Sequence, residues 1–587
     1  MVDLRATPFN LDEGGVAWVE ATIAGMTDEE KIGQLFVNMG SERSEEYLTA
    51  VLDEFHIGAV RYNPGTAEEV WEQNRILQER SKLPMLIAAN TEAGGNGACT
   101  DGTYVGHGAK IGCTHEVRYA YELGRISGIE AAAVGCNWSF APIVDIYRNW
   151  RNPVVSRRSF GGDVDLVIEM SLAYMRGIRE SGIAPAAKHW PGDGIDERDH
   201  HLSHAPNWLT TDEWDETFGR LYQTLIDAGL PSIMAGHIAL PSYQRHFNPA
   251  MADDDILPAS LCKEITTDLL RGKLGFNGVV VTDASHMVAM TGAMKRSELL
   301  PAAIEAGCDM FLFFNDPEED FRWMMEGWRS GRLSDNRLDD ALHRILGLKA
   351  MLGLHERPRE ELLPPKQEAL ARIGLPESKA VAVEIADRAI TLVKNKDPQV
   401  LPLSVERYPR VLVVPISSPP SPFAMMVDSG AGHPADKVVA KLNERGYRAE
   451  RYVSQLEQVQ GRSPEEVRQI LRDAYAGKSP ISGLTDNHDL VVSVAEVNGL
   501  GQPVERPYWP GTKGTLDMPW YVHEVPTIVI STASPNLLAD MPQVKTFITA
   551  FDDQDFTLDA VLDKLEGRSE FRGRPATEMF PFADTRI

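Results

Sequence analysis

Short apolar runs alternate with longer amphipathic stretches through the first half of the chain. Segments with helical spacing separate most of the runs, as at 16–25, 115–134, 165–181, 212–228 and 261–274. Eight strands, each usually followed by a helix, predict a parallel (β/α)8 barrel, as in TIM-like folds. A doubly wound sheet is the alternative, but no GxGxxG sequence opens a helix after the first run. The eight predicted strands are Leu35–Met39, Ile57–Arg61, Met85–Ala89, Trp138–Val144, Ile183–Ala187, Ser232–Gly236, Gly278–Thr282 and Asp309–Phe314.

The second half begins with a helical pattern from Ser334 to about Lys396, which a proline-rich break at 363–365 interrupts. Four apolar runs follow at 411–416, 490–495, 527–531 and 545–550, with helical segments near 435–445, 464–476 and 558–565 between or after them. This pattern predicts a smaller, open α/β sandwich domain. We therefore predict a barrel over 1–333, a helical linker over 334–396 and the α/β domain over 397–587.

Polar residues follow five of the eight predicted barrel strands directly. Any one of them could equally cap the next helix. In a barrel, however, all of these positions lie at the carboxyl ends of the strands, where such folds carry their active sites. Their recurrence therefore favours a shared polar pocket. The residues are Asn90-Thr91-Glu92, Asp145, Lys188-His189, His237 and Asp283.

The segment 185–204, PAAKHWPGDGIDERDHHLSH, holds a dense set of titratable groups. A solvated loop, a metal site and an acid/base site are all compatible with it. Asp199 and His201 are two residues apart, so the carboxylate can hold one imidazole nitrogen and leave the other for a substrate oxygen. As metal ligands, His200, His201 and His204 lack the helical HExxH order and a nearby cysteine.

Composition narrows the class of protein. A net charge of −27 over 587 residues argues against nucleic acid or an anionic membrane as a partner. The five cysteines show no CxxC spacing, which is typical of free thiols in a reducing compartment. The N-terminal sequence has no apolar leader, and no later run is long enough to span a bilayer. If the natural protein starts here, we expect it to be cytoplasmic.

Several motifs occur in an order that resembles the β-N-acetylglucosaminidases of glycoside hydrolase family 3. KHWPGDG (188–194), followed four residues later by Asp199-x-His201, is similar to the KH[FW]PG[HD]G-x4-D-x-H signature of these enzymes. The resemblance extends from about Lys31 to Phe314. The other matching motifs are FAPIVDI (140–146), RSFGGD (158–163), GHI (236–238), LPASL (257–261) and LGFNGVVVTDA (274–284).

The resemblance implies a retaining exo-β-N-acetylglucosaminidase that forms a covalent glycosyl-enzyme. It makes Asp283 the nucleophile, His201 the general acid/base and Asp199 the partner that orients His201. A sugar or oligosaccharide with a terminal amino sugar is then the expected substrate, with no metal or cofactor, and a homodimer is left open. The residues expected to bind the sugar are Asn90, Arg158, Lys188, His189, Asp193 and His237.

Departures from the family pattern keep alternatives open. Close relatives tend to show D-x-E-G-G after the third strand, whereas this chain has NTEAG at 90–94. His200 stands beside His201, so the assignment of the acid is ambiguous. The β-glucosidases of the family draw a glutamate acid from the second domain, for which Glu496 and Glu505 are the candidates here. A β-glucosidase, a phosphorylase that uses phosphate in place of water, and a sugar-binding protein without catalysis are the alternative functions.

Overall fold

A computed structural model describes residues 2–40, 42–419, 432–459, 461–475, 480–499, 501, 504–509, 515–580 and 582. Eight parallel strands close into a barrel in sequential order, and β1 pairs with β8 through Phe36 and Phe311. The predicted barrel is therefore confirmed. Its strands are β1 (Phe36–Gly40), β2 (Ala59–Tyr62), β3 (Leu86–Ala89), β4 (Trp138–Ser139), β5 (Ala184–Trp190), β6 (Ser232–Ala235), β7 (Val279–Ala284) and β8 (Met310–Leu312).

Helices connect these strands, and side-chain caps define where several of them begin. The Thr66 hydroxyl accepts from the amide of Glu69 while the Glu69 carboxylate accepts from the amide of Thr66, and Asp163 caps the amide of Leu166. The helices in this half of the chain are Glu13–Gly25, Asp28–Gly33, Glu45–Phe55, Ala67–Arg80, Gly108–Gly112, Val117–Ala133, Val164–Arg179, Thr211–Trp214, Arg220–Asp227, Pro241–Phe247, Val288–Thr291, Arg296–Glu305, Pro317–Arg329, Asp335–Met351, Lys366–Leu370 and Pro376–Ala389.

Two predicted helices contain π-helical turns, and one predicted strand is shorter than expected. The π-helical segments are Asp215–Gly219, inside the predicted helix 212–228, and Glu264–Lys273, inside the predicted helix 261–274. The strand predicted over 138–144 has regular pairing only at Trp138 and Ser139. Pro142 has no N–H to donate to a ladder, although Ile143 still forms a bridge to Lys188 on β5.

The turn after β5 requires glycine at two positions. Gly192 and Gly194 have φ of 120° and 101°, which side-chain-bearing residues rarely adopt. A Cβ on Gly194 would also lie 2.2 Å from the carbonyl oxygen of Ile146. This turn directs the chain from β5 into the loop that carries Asp199, His200 and His201. Two-residue strands, Ala205–Pro206 and Ile238–Ala239, then join this loop to the one after β6.

The second half contains a six-stranded sheet whose members, in spatial order, are β9, β14, β13, β12, β10 and β11. They are β9 (Thr391–Asn395), β10 (Arg410–Ser417), β11 (Arg448–Arg451), β12 (Leu490–Glu496), β13 (Thr527–Ser531) and β14 (Thr546–Thr549). Only β9 pairs antiparallel. Helices Pro434–Glu444, Gln455–Val459, Pro464–Tyr475, Ser482–Thr485 and Asp555–Leu565 accompany the sheet. Ala476, the last residue of one predicted helix, lies outside the described residues.

The predicted α/β class of the second half is confirmed, but the sequence missed both edge strands. β11 is RAER, in which exposed and half-buried residues alternate and no apolar run marks a strand. β9 fell inside the predicted linker because helical spacing continues up to it through the helix Pro376–Ala389. The buried core of this sheet comes from the four predicted strands, with Val411, Val492, Ile528 and Ile548 at its centre.

The chain divides into two compact units. The first comprises Met1–Gly108, Glu116–Asn149 and Arg158–Ala382, and the second comprises Ala109–His115, Trp150–Arg157 and Val383–Ile587. Of the predicted linker, residues 334–382 belong to the first unit and 383–396 to the second, and the linker itself stays a prediction. Within the described ranges, no helix has both the length and the apolar character to cross a bilayer. All five cysteines are buried thiols.

Candidate active site

Asp283 lies near the end of β7, where two histidines face its carboxylate. Its Oδ2 is 3.7 Å from Nε2 of His200 and 3.9 Å from Nε2 of His189. Burial alone would raise the pKa of Asp283, but the nearby histidines, His189 and His200 foremost, outweigh burial and hold it well below its usual range. A buried carboxylate that stays ionised at the carboxyl end of a barrel strand is chemically suited to nucleophilic attack.

Two buried aspartates hold the histidines that face Asp283. Asp145, fully buried after β4, lies with Oδ2 2.7 Å from Nδ1 of His189, and its Oδ1 accepts from the amides of His189 and Asp193. Nδ1 of His200 lies 3.2 Å from Oδ2 of Asp193. Burial lowers the pKa of His200, but the adjacent Asp193 carboxylate more than offsets this and raises the pKa to about 9. Both imidazoles therefore present Nε2 to Asp283.

Exposure separates His201 from its neighbour His200. The His200 side chain is fully buried, whereas 32% of the His201 side chain is exposed. Nδ1 of His201 lies 2.6 Å from Oδ1 of Asp199, which also accepts from the His201 amide at 2.7 Å. Asp199 thus fixes the ring and leaves Nε2 as the nitrogen available to an incoming oxygen. Burial raises the pKa of Asp199, but the hydrogen bond to His201 outweighs burial and lowers it.

A carboxylate that we did not predict as a site residue organises the cations of the pocket. Glu92 accepts two hydrogen bonds from Arg158, at 2.9 and 3.0 Å, and its Oε1 lies 2.6 Å from Nζ of Lys188. Burial would raise the pKa of Glu92, but Arg158 and Lys188 hold it well below its usual range. Glu92 belonged to the polar triplet after β3, but the sequence does not show which member of that triplet meets the cations.

Asn90 comes directly after β3 with its side-chain oxygen buried. Oδ1 of Asn90 has no hydrogen-bond partner among the described residues. A buried acceptor without a donor costs free energy, which a sugar hydroxyl would recover by donating to it. Contact of Asn90 with a sugar stays a prediction, and the unpartnered oxygen is compatible with it.

Asp193 and His237 contact the protein rather than an open space. The Asp193 carboxylate accepts from the amide of Gly194 and faces His200. His237 lies 3.0 Å from the carbonyl of Ala284 through Nε2 and 2.7 Å from the Ser260 hydroxyl through Nδ1. A carbonyl only accepts, so Nε2 carries the proton and Nδ1 accepts from Ser260. Burial lowers the pKa of His237 to about 4, which keeps it neutral. Both residues position others; direct contact with a sugar stays a prediction for them.

The two glutamates considered in the second unit, Glu496 and Glu505, differ in their exposure to solvent. Glu496 is exposed at the end of β12, whereas Glu505 is buried. Burial raises the pKa of Glu505 to about 7, and its Oε2 has no hydrogen-bond partner among the described residues. Glu505 packs within its own unit against the backbone at Gly499.

This arrangement defines a class of protein: a (β/α)8 barrel with a buried carboxylate and an oriented, partly exposed histidine at the carboxyl ends of its strands. Comparison with known proteins supplies the family. The glycosyl hydrolase family 3 N-terminal domain matches residues 27–348, more than half of the chain. The protein therefore belongs to glycoside hydrolase family 3 and is a glycoside hydrolase that acts on β-linked sugars. The resemblance read from the ordered motifs is confirmed.

Three relatives have related but different activities. A protein of Cellulomonas fimi named beta-N-acetylglucosaminidase/beta-glucosidase is 38% identical over 582 residues, 99% of each chain. A beta-glucoside phosphorylase solved with 2FGlc bound is 36% identical, with a TM-score of 0.89 over 98% of this chain and 99% of its own. A family 3 beta-N-acetylglucosaminidase from Paenibacillus sp. str. FPU-7 is 25% identical, with a TM-score of 0.75 over 94% and 99%.

Proposed function

We propose that the protein is a retaining exo-β-glycosidase that removes terminal β-linked N-acetylglucosamine through a covalent intermediate on Asp283. The observation that carries this proposal is the Asp199–His201 pair beside Asp283: the partly exposed His201 ring stacks on the His200 ring at 5.0 Å, and Nε2 of His200 lies 3.7 Å from the Asp283 carboxylate. An exposed, oriented imidazole can exchange protons with a substrate, while the buried carboxylate supplies the nucleophile.

In the first step, Asp283 attacks the anomeric carbon while protonated His201 gives its Nε2 proton to the departing oxygen. The C1–O bond to the leaving group breaks as the C1–O bond to Asp283 forms. In the second step, neutral His201 takes a proton from water, which attacks C1 and releases Asp283. Asp199 stabilises the imidazolium in the first step and holds the ring for the second. Arg158, Lys188 and His189 supply donors to the sugar.

Hydrolysis of β-N-acetylglucosaminides is favoured by the motif match, the Paenibacillus relative and the dual activity in the name of the Cellulomonas fimi relative. A second candidate, phosphorolysis of a β-glucoside, has its own support. The phosphorylase relative covers almost the whole chain. A histidine acid/base also carries no negative charge in the second step, so it repels phosphate less than a carboxylate would.

One assay separates these candidates. Aryl β-N-acetylglucosaminide and aryl β-glucoside are compared side by side, each with and without phosphate, and the products are identified. The proposal expects free N-acetylglucosamine at a rate that phosphate does not change. Sugar 1-phosphate as the main product would replace hydrolysis with phosphorolysis, and a higher kcat/KM for the glucoside would change the sugar.

A further inference from the structure

His189, His200 and Asp283 form a cluster with a second chemical capacity. One ligand atom from each residue lies within 4.8 Å of the others. The two measured nitrogen-to-oxygen separations, 3.7 and 3.9 Å, are close to the roughly 3.3–4 Å between two ligands that bind one zinc ion at about 2.0–2.1 Å. Small side-chain adjustments would therefore bring all three atoms onto one ion.

The surroundings of the two histidines match those of metal ligands. In metal sites, a ligand histidine usually gives its other ring nitrogen to a carboxylate, which fixes the ring. Here Asp145 lies 2.7 Å from Nδ1 of His189, and Asp193 lies 3.2 Å from Nδ1 of His200. Both imidazoles therefore present Nε2 to the same point. Neither ring nitrogen of His200 forms a hydrogen bond to a described residue, so Asp193 faces Nδ1 at ion-pair distance and the buried Nε2 is open to a ligand.

We propose that this cluster is an inhibitory binding site for one divalent transition-metal cation of the zinc type. Two imidazoles and one carboxylate suit such an ion better than Mg²⁺ or Ca²⁺, which prefer sets of oxygen ligands. The bound ion takes Nε2 of His189, Nε2 of His200 and one carboxylate oxygen of Asp283 as its ligands. The site itself rests on geometry alone; its effect on the rate rests on the proposed role of Asp283 as nucleophile.

The expected behaviour differs from that of a metalloenzyme. Enzyme stripped with EDTA should keep its full rate, because the reaction uses only protons and a carboxylate. Added zinc should then lower the rate reversibly and competitively, so that apparent KM rises while kcat is unchanged at saturating substrate. A rate that falls on stripping and returns with zinc would contradict this inference, since the ion would then be required.

Zinc binding is measured on the full chain by titration calorimetry and by metal analysis after gel filtration. We expect one ion per chain, binding at least about 10-fold weaker in His200→Gln, and unchanged binding in His204→Gln, which alters an exposed histidine of the same loop. Parent enzyme that carries a fluorinated sugar on Asp283 should also fail to bind zinc. This measurement uses the parent chain, so it does not depend on a variant folding correctly.

The outcomes are distinguishable. Zinc that binds equally to the parent, to His200→Gln and to the blocked enzyme would lie elsewhere and would overturn the site. Zinc that depends on His200 but leaves the rate unchanged supports the site and contradicts the role proposed for Asp283.

Discussion

The proposed mechanism gives the adjacent His200 and His201 different tasks, because their carboxylate partners and their exposure differ. Asp193 holds His200 in full burial, where its Nε2 faces Asp283. Asp199 holds His201 at the edge of the pocket, where one third of the side chain remains exposed. The Asp199-x-His201 spacing already favoured His201, and its exposure is consistent with that choice, because an exposed imidazole can exchange protons with both a leaving group and water.

The first prediction tests His201 through the leaving group. A nitrophenol leaves as a stable phenolate, whereas a sugar alcohol needs a proton in the transition state. His201→Ala should therefore lose about 10²-fold or more of its rate on a GlcNAc disaccharide beyond what it loses on the aryl glycoside. Asp199→Asn should show a milder form of this pattern. The glycosylation step is followed by rapid mixing, because hydrolysis of the intermediate also requires His201.

Glu496→Gln and Glu505→Gln are the controls for this assignment. Neither should show a loss that depends on the leaving group. If either does while His201→Ala does not, the acid lies in the second unit and the β-glucosidase mechanism applies.

At the scale of elements, the spacing of apolar runs predicted all eight barrel strands, because buried parallel strands are short, β-branched and separated by helices. Edge strands such as β11 lack that signal. The polar residues at the carboxyl ends of β3, β5, β6 and β7 were also predictable as a group from the barrel. The contacts among these side chains could not be predicted from the sequence. Glu92 pairs with Arg158 and Lys188, which are 66 and 96 residues further along the chain, and a local sequence pattern does not extend over such separations.

A second prediction concerns the turn that carries the catalytic loop away from β5. In Gly194→Ala, the alanine would have to adopt a positive φ, and its Cβ would lie 2.2 Å from the carbonyl oxygen of Ile146. The backbone of the turn must therefore shift to accommodate the substitution. We expect a loss of about 2–5 kcal/mol in the free energy of unfolding and at least a 10-fold loss in kcat/KM. Urea unfolding and initial rates measure these two effects.

Gly182→Ala is the matched control. Gly182 also has a positive φ, 74°, but an added Cβ would meet nothing within 4 Å. Gly182→Ala should lower the free energy of unfolding by only about 1–2 kcal/mol, because of the backbone conformation alone, and should leave kcat/KM unchanged. Equal effects of the two substitutions on kcat/KM would show that the turn does not position His201.

At the scale of the whole molecule, Glu505 makes stability depend on pH. Its pKa rises from 4.5 to about 7 on folding, so the folded protein binds this proton more tightly than the unfolded chain does. The stability it contributes is present below pH 4.5 and is lost as pH rises to about 7. Glu505→Gln removes the charge, so it should be more stable than the parent by up to about 3 kcal/mol at pH 8.

At pH 4.5 the free energy of unfolding of Glu505→Gln should be close to that of the parent, because the Glu505 carboxyl of the folded parent is then protonated and uncharged. Urea unfolding of both proteins at the two pH values, followed by the transition of the second unit, measures the difference. A gain that is the same at both values would show that Glu505 does not titrate in this range.

The central claim is that Asp283 forms the covalent glycosyl-enzyme, and trapping that intermediate tests it most directly. The enzyme is incubated with an activated 2-fluoroglucoside and with a 5-fluoro N-acetylglucosaminide, digested, and analysed by tandem mass spectrometry. We predict one fluorinated sugar on the peptide that contains Asp283. Asp283→Ala should fold, take up no label and turn over at least about 10³-fold more slowly. A label on another carboxylate, or near-parental activity in the folded variant, would contradict the account.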